Sequence, residues 1–148
     1  MTRDFQAKRR VQFAETDLAG VLHFSNYYRY MEELEHAFWR SLGLAVMIRE
    51  GDRLISWPRV ATSCEYFGPA YFEDELDLGL TVLHVGMRSI AFEIEFQRAG
   101  ERLALGRATA VCCATRDGSF EPVAIPDHVR AKLPVRASTD DDQRCKES

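Results

Sequence analysis

The amino-acid sequence predicts an α+β domain in which an antiparallel sheet wraps around one long central helix. An apolar stripe of helical period occupies residues 26–42, and from residue 60 onward the apolar residues recur at every second position, which is typical of strands. One early helix followed by four consecutive strands favours the α+β class over alternating α/β folds. Because the edges of an open sheet need covering, pairing with a second copy of the chain is expected.

The predicted helix has signals at both of its ends. Ser25 is the expected N-cap, since its hydroxyl can accept a hydrogen bond from a helical N–H, and Gly43 is the expected residue just beyond the C-terminus. A short helical turn is expected to follow at 44–50. Residues at spacings of three and four form the apolar stripe: Tyr27, Tyr30, Met31, Leu34, Phe38 and Leu42.

Strands are predicted before and after this helix. The first covers residues 8–14, and the later four cover about 60–67, 76–82, 90–97 and 103–115, where apolar and polar side chains alternate. A short helix is expected at 127–133. We expect the central helix to lie close to the last strand, because one face of that strand has only small side chains: Ala104, Gly106, Ala108, Ala110, Cys112 and Ala114.

The composition supports one globular unit. Apolar residues make up 46% of the chain and aromatic residues 11%, which is enough for a packed core and argues against global disorder. Residues 1–136 are therefore predicted to form a single domain. The remaining segment, 137–148, is polar and is expected to be a disordered tail.

Charge and cysteine content exclude several functions. The net charge is −4, and the basic cluster 8–10 is interpreted as a solvated strand start, so nucleic acid is not an expected partner. No apolar run reaches the roughly 18 residues of a membrane span, and no signal peptide is visible, so a cytoplasmic location is expected. The chain has four cysteines, Cys64, Cys112, Cys113 and Cys145, and they lack CxxC or Cys/His ligand spacing. No disulfide framework and no metal site are therefore expected, and no other cofactor is implied.

The loop between the first strand and the helix is the strongest candidate for chemistry. Asp17 and His23 lie in this loop, which contains Gly20 and runs directly into the helix N-terminus. A carboxylate there can attack an acyl group or activate a water molecule, and exposed helical N–H groups can stabilise an oxyanion. Gly20 would allow a ligand to approach the backbone. His23 could orient substrate or donate a proton, or it could be purely structural.

Other polar residues are weaker candidates. Asn26 could cap the helix or bind near the site, and Ser89 could contact a ligand from a turn. Glu32 is the one glutamate of the helix worth testing, while the rest of that acidic face is interpreted as solvated. A structural role is favoured for three histidines: His36, His84 and His128.

The segment from Asp17 to Tyr27 resembles the 4-hydroxybenzoyl-CoA thioesterase family of hot-dog proteins. The shared pattern is an aspartate, two variable residues, a glycine, two apolar residues, three variable residues and then Asn26-Tyr27. Weaker similarity extends over about residues 8–133. The resemblance implies a hot-dog fold and hydrolysis of an acyl-CoA thioester by a homodimer or a tetramer of dimers, with sites at subunit interfaces.

The resemblance also implies roles for individual residues. Asp17 matches the family's catalytic carboxylate, and the backbone N–H of Phe24 matches its oxyanion donor. His23 lies one residue away from the position of the histidine in one branch of the family, so it does not inherit a role automatically and stays a candidate catalytic residue. The pattern places Gly20, Asn26 and Tyr27 around the substrate. The phosphates of CoA need basic partners, for which the candidates are Arg88, Arg107 and Arg59.

Several alternatives stay open at this point. Asp17 could act as a nucleophile or as a general base, and the carrier of the acyl group could be CoA or an acyl-carrier protein. An enoyl-thioester hydratase or dehydratase, with His23 and Asp17 sharing proton transfer, is a second enzymatic hypothesis. A non-catalytic acyl-CoA-binding protein is the third. The sequence does not identify the acyl group, although Tyr27 and its aromatic neighbours would suit an aryl or medium-length chain.

Overall fold

The computed structural model describes residues 3–134 of the 148. The predicted polar tail at 137–148, and Cys145 within it, lie outside the described residues. In chain order the elements are β1 (Phe5–Arg10), a 3-10 turn (Phe13–Glu15), α1 (Asn26–Ser41), β2 (Ile48–Glu50), β3 (Arg53–Ser56), β4 (Arg59–Tyr66), β5 (Glu75–Val85), β6 (Ser89–Arg98), β7 (Glu101–Val111), β8 (Cys113–Arg116), β9 (Ser119–Pro122) and α2 (Asp127–Arg130).

The strands form two antiparallel sheets. The larger has five strands in the order β1-β5-β6-β7-β4, and the smaller has four in the order β2-β3-β8-β9. Helix α1 packs on one face of the larger sheet through its predicted apolar stripe, and the ring of Tyr27 lies 5.1 Å from Phe96 while that of Phe38 lies 6.4 Å from Phe92. The predicted α+β fold, with an antiparallel sheet wrapped around one long helix, is therefore confirmed.

The small-residue face of β7 lies directly under α1. A Cβ atom added to Gly106 would lie 2.5 Å from Met31 Sδ and 2.9 Å from Met31 Cε, and Met31 itself is buried. The Met31 side chain of the helix thus packs directly on the backbone of β7, and a larger residue at 106 would require this buried side chain to move. This confirms the expectation that small side chains on the last long strand allow close helix packing.

Replacing Gly106 by alanine is expected to destabilise the fold by about 1–3 kcal/mol, the usual cost of an extra methyl group in a packed core. Gly68→Ala is the matched control, since its Cβ would meet Leu103 at an ordinary 3.4 Å. Urea unfolding of both variants measures the difference. Equal stabilities for the two would contradict the close contact between Met31 and the sheet.

The predicted secondary structure is wrong in several places. The first strand ends at Arg10, and residues 13–15 form a 3-10 turn instead. Residues 48–50 form a strand where a helical turn was expected. The predicted last strand is divided between the two sheets. Cys112 lies between β7 and β8 and belongs to neither strand, since its N–H donates to the Arg88 carbonyl at 2.6 Å. After it, β8 pairs with β3 of the smaller sheet.

The two helix ends differ in how well they match the prediction. Gly43 has φ +72°, and the N–H of Leu44 donates to the Trp39 carbonyl at 3.0 Å, so the glycine closes the helix as expected. Ser25 holds the N-cap position, but its hydroxyl makes no capping hydrogen bond. Within residues 3–134, no helix is long and apolar enough to cross a membrane.

Candidate active site

The loop before α1 is a tight hairpin closed by backbone hydrogen bonds. The Asp17 N–H donates to the Val21 carbonyl at 2.8 Å, and the Gly20 N–H donates to the Asp17 carbonyl at 3.0 Å. Gly20 has φ +81°, a conformation that favours glycine, and the space around its α-carbon is open. The Leu22 N–H donates to the Ala70 carbonyl at 2.8 Å, which fixes the hairpin against the chain leading into β5.

One of the two oxygens of the Asp17 carboxylate is hydrogen-bonded. Its Oδ1 accepts hydrogen bonds from the N–H groups of Ala19 at 2.9 Å and Val21 at 3.3 Å. Within residues 3–134, no hydrogen bond reaches Oδ2. One oxygen therefore shapes the turn and orients the carboxylate, while the other is available for a reacting group.

A second carboxylate, Glu15, fixes the base of the hairpin. Its oxygens accept two hydrogen bonds from Arg9, at 3.0 and 2.7 Å, and one from the Tyr30 hydroxyl at 2.6 Å. Burial raises the pKa of Glu15, but the hydrogen bonds from Tyr30 and Arg9 outweigh it, so the pKa is lower than its ordinary value. The side chain of Arg9 is only 20% exposed, so the interpretation of the 8–10 cluster as a solvated strand start fails for Arg9, although all three residues do lie in a strand.

The backbone carbonyl of Glu15 connects this ion pair to the helix start. It accepts hydrogen bonds from the N–H of His23 at 2.9 Å and from the side-chain amide of Asn26 at 2.8 Å. Asn26 therefore holds both ends of the loop together. Sequence reasoning missed Glu15, although its position three residues after Gln12, whose N–H its carboxylate accepts at 2.9 Å, is a capping-box spacing.

His23 is held in one orientation by Ser25. The Ser25 hydroxyl lies 2.7 Å from His23 Nδ1, and the Ser25 N–H donates to the same nitrogen at 3.2 Å. Because Nδ1 accepts a hydrogen bond from a backbone N–H, the neutral ring has its proton on Nε2. The Ser25 hydroxyl is thus used to orient an imidazole, which explains why it does not cap the helix.

The backbone of Phe24 lies at the positive end of α1. Among the described residues, no hydrogen bond from its N–H is found, while its carbonyl accepts hydrogen bonds from the Tyr66 hydroxyl at 3.1 Å and the Tyr27 N–H at 3.4 Å. The Phe24 ring is 63% exposed and stacks on His23 at 4.5 Å. An exposed N–H in this position is suited to an anionic oxygen.

The remaining predicted site residues fall into two groups. Tyr27 is buried, with its ring packed edge-on to Tyr66 at 4.9 Å, so its ring belongs to the core at the start of α1. Arg88 and Ser89 lie elsewhere, at the turn between β5 and β6. The eleven residues of β5 put roughly 35 Å between that turn and the anchor of the Asp17 hairpin, so one chain does not bring them together.

The other two candidate phosphate ligands are held by carboxylates. Arg59 donates to Glu35 and to the Trp57 carbonyl, and Arg107 donates to Glu93 at 3.1 Å. Glu35 is only 3% exposed, so its interpretation as part of a solvated helix face is wrong. It lies four residues after Met31 and three before Phe38, and this spacing places it in the buried stripe.

Comparison with known proteins assigns the chain to a family. Residues 11–133 match the thioesterase-like superfamily. The chain belongs to this superfamily. It is 29% identical to a 1,4-dihydroxy-2-naphthoyl-CoA hydrolase of Synechocystis sp. (strain ATCC 27184 / PCC 6803 / Kazusa) over 134 residues, covering 88% of each chain. It is 25% identical to the acyl-CoA thioesterase YbgC of Haemophilus influenzae (strain ATCC 51907 / DSM 11121 / KW20 / Rd) over 122 residues, covering 82% of this chain and 88% of the relative.

Solved structures give the same fold. A 1,4-dihydroxy-2-naphthoyl-CoA thioesterase from Synechocystis superposes with a TM-score of 0.77 at 26% identity, covering 86% of this chain and 93% of the other. A gentisyl-coenzyme A thioesterase, BH1999, superposes with a TM-score of 0.71 at 25% identity, covering 86% and 98%. The expected hot-dog fold and the expected membership among thioesterases are confirmed.

Proposed function

We propose that this protein hydrolyses an acyl-CoA thioester to the free acid and CoA, with the Asp17 carboxylate and the Phe24 N–H as its catalytic groups. The observation that carries the proposal is the arrangement of one hairpin. Among the described residues, Oδ2 of Asp17 accepts no hydrogen bond, and the N–H of Phe24, at the end of the same hairpin, donates none. These are the two groups that acyl transfer from a thioester needs.

Two routes are open to Asp17. As a nucleophile, its Oδ2 bonds to the acyl carbon, the C–S bond breaks with CoA leaving as the thiolate, and water then hydrolyses the mixed anhydride. As a general base, it takes a proton from a water molecule whose oxygen bonds to the acyl carbon, and the leaving thiolate recovers a proton. In both routes the carbonyl oxygen becomes negative and accepts a hydrogen bond from Phe24 N–H. A thiolate leaves readily, so no further acid is required.

Aryl-CoA thioesters are the first substrate class to test. Relatives named for hydrolysis of 1,4-dihydroxy-2-naphthoyl-CoA and gentisyl-CoA share this fold. On this chain, the rings of Phe24 and Tyr28 are 63% and 37% exposed at the start of α1, where an acyl group would lie beside the Phe24 N–H. Flat aromatic side chains provide stacking surfaces for an aromatic acyl group.

Thiol release from a panel of short, medium, long and aryl acyl-CoAs tests the proposal. We expect release from at least one class, with the aryl thioesters fastest, and slower release from matching acyl-carrier-protein thioesters. Absence of thiol release from every substrate would contradict thioester hydrolysis. Conversion of an enoyl-CoA without thiol release would instead support the hydratase hypothesis, and tight binding without conversion would support the binding-protein hypothesis.

We also propose that the active assembly is a homodimer, or a tetramer of dimers, formed through β4. This strand is an edge of the five-stranded sheet, and most of its residues are exposed, including Val60 at 61%. Its Tyr66 end lies near Phe24, while its Arg59 end pairs with β7 close to the turn that contains Arg88. Antiparallel pairing of two β4 strands would therefore bring the turn of one copy toward the hairpin of the other.

Light scattering coupled to size exclusion is expected to give at least twice the mass of one chain. Val60→Glu, which places like charges at a two-fold β4 interface, is expected to shift the protein toward monomer and to weaken substrate binding. Leu83→Glu is a control at another exposed strand position, 39% exposed on β5. A monomeric wild type would overturn this proposal without affecting the chemistry assigned to Asp17.

We propose a reducing compartment, and hence the cytoplasm, as the location. The three cysteines in the described part of the chain, Cys64, Cys112 and Cys113, are all free thiols. Cysteines that remain free thiols are typical of proteins in a reducing environment.

A further inference from the structure

Tyr66, at the end of β4, is hydrogen-bonded to the helix start. Its hydroxyl donates to the Phe24 carbonyl at 3.1 Å, and its ring packs against Tyr27. Burial, together with the neighbouring Cys64, raises the pKa of the Tyr66 hydroxyl above its ordinary value. The hydroxyl therefore keeps its proton at neutral pH and remains a donor.

Phe24 has few other restraints. Its side chain is largely exposed, and the N–H of Tyr27 reaches its carbonyl only at 3.4 Å, near the long limit for a hydrogen bond. Within residues 3–134, the bond from Tyr66 is the one hydrogen bond that joins Phe24 to the five-stranded sheet. The orientation of the Phe24 backbone therefore depends on a side chain from a different element.

We propose that Tyr66 is a positioning residue for the reaction, holding the Phe24 backbone so that its N–H points at the thioester oxygen. This inference rests on the proposed function. Tyr66 acts through Phe24 and does not itself contact the reacting atoms. An oxyanion donor is effective only when it lies within a few tenths of an ångström of the required position. A loosened Phe24 would still bind substrate but would stabilise the transition state less.

The test is the Tyr66→Phe variant, which removes the donor and keeps the ring that packs on Tyr27. We expect kcat to fall about tenfold, the effect of one lost hydrogen bond, while KM stays within about twofold of wild type. The melting temperature is expected to stay the same, because the side chain is 44% exposed. Tyr71→Phe is the matched control: Tyr71 is 49% exposed, and no hydrogen bond to its hydroxyl is found among the described residues.

Each outcome of this test supports or overturns the role proposed for Tyr66. An unchanged kcat in Tyr66→Phe would overturn the inference while leaving the proposed function intact. A lower melting temperature together with a higher KM would show a merely structural role and would also overturn it. Absence of turnover by the wild type would overturn the proposed function, and this inference with it. Similar losses in Tyr66→Phe and Tyr71→Phe would show that the effect is not specific to Phe24.

Discussion

Asp17→Asn is expected to lower kcat by about 10²- to 10⁴-fold, the usual contribution of a positioned acid–base group, while leaving the fold intact. Asparagine keeps a carbonyl oxygen in the place of Oδ1, so the hydrogen bonds from Ala19 and Val21 can persist. The variant loses the negative charge and the second carboxylate oxygen, which the proposed chemistry requires. The measurements are thiol release and the melting temperature.

Asp117→Asn is the matched control for this variant. Asp117 is also a turn aspartate, in the hairpin between β8 and β9, with φ +49°, a conformation that asparagine tolerates. We expect this control to keep wild-type turnover. If Asp17→Asn retained the wild-type rate with a saturating substrate, Asp17 could not be the nucleophile or the base.

Arg59→Met is expected to lower the free energy of unfolding by about 3 kcal/mol, because it leaves the buried carboxylate of Glu35 without its partner. We take the low end of the range for broken buried pairs, since the Arg59 side chain is 26% exposed. Methionine keeps the apolar part of the side chain, so the loss reports on charge more than on packing. Urea unfolding measures it.

The pH dependence of this loss follows from Glu35. Burial raises its pKa above the ordinary 4.5, more than the guanidinium of Arg59 lowers it. The folded state then binds more protons than the unfolded state, so the contribution of Glu35 to stability falls as pH rises through the interval between 4.5 and the folded pKa. Removing Arg59 raises the folded pKa further. The deficit of Arg59→Met should therefore be larger at about pH 7.5 than at about pH 5.

Two further variants serve as controls for the ion pair. Glu35→Gln is expected to cost less, about 1 kcal/mol, because Arg59 can reach solvent. The double variant Glu35→Leu, Arg59→Met should recover most of the stability, since both charges are gone. A double variant as unstable as Arg59→Met alone would contradict the account of an unpaired buried charge.

The helix and its contact with the sheet could be predicted because their signals are local and periodic. The stripe that contains Met31 and the small-residue face around Gly106 are each readable within one segment, and they fit only if they lie against each other. The Asp17 hairpin was identified for a similar reason: a short run of residues holds its carboxylate, its glycine and the helix start.

The division of the strands between two sheets could not be predicted from period alone. Residues 103–115 alternate without interruption, and the break at Cys112 depends on hydrogen bonds with Arg88 and Val123, which are distant in sequence. Pro58 lies between β3 and β4, opposite the break at Cys112. It is a local signal for the end of a strand, because proline has no N–H to donate to a neighbouring strand.

Three buried or half-buried polar contacts, two of them at the site, could not be predicted for the same reason. Glu15, Glu35 and Tyr66 each act through a partner on another element: Arg9 on β1, Arg59 on β4, and Phe24 at the helix start. A sequence shows the residue types but not which of them meet. The structure was needed to distinguish a solvated glutamate from a buried one.

Product analysis in water labelled with heavy oxygen tests the central claim most directly. The wild type is incubated with benzoyl-CoA and, separately, with crotonyl-CoA, and the products are identified by mass. Thioester hydrolysis predicts free CoA together with an acid that gains labelled oxygen in its carboxyl group. An intact thioester that has gained one labelled water across its double bond, or no hydrolysis of these two substrates and of the rest of the acyl-CoA panel, would contradict it.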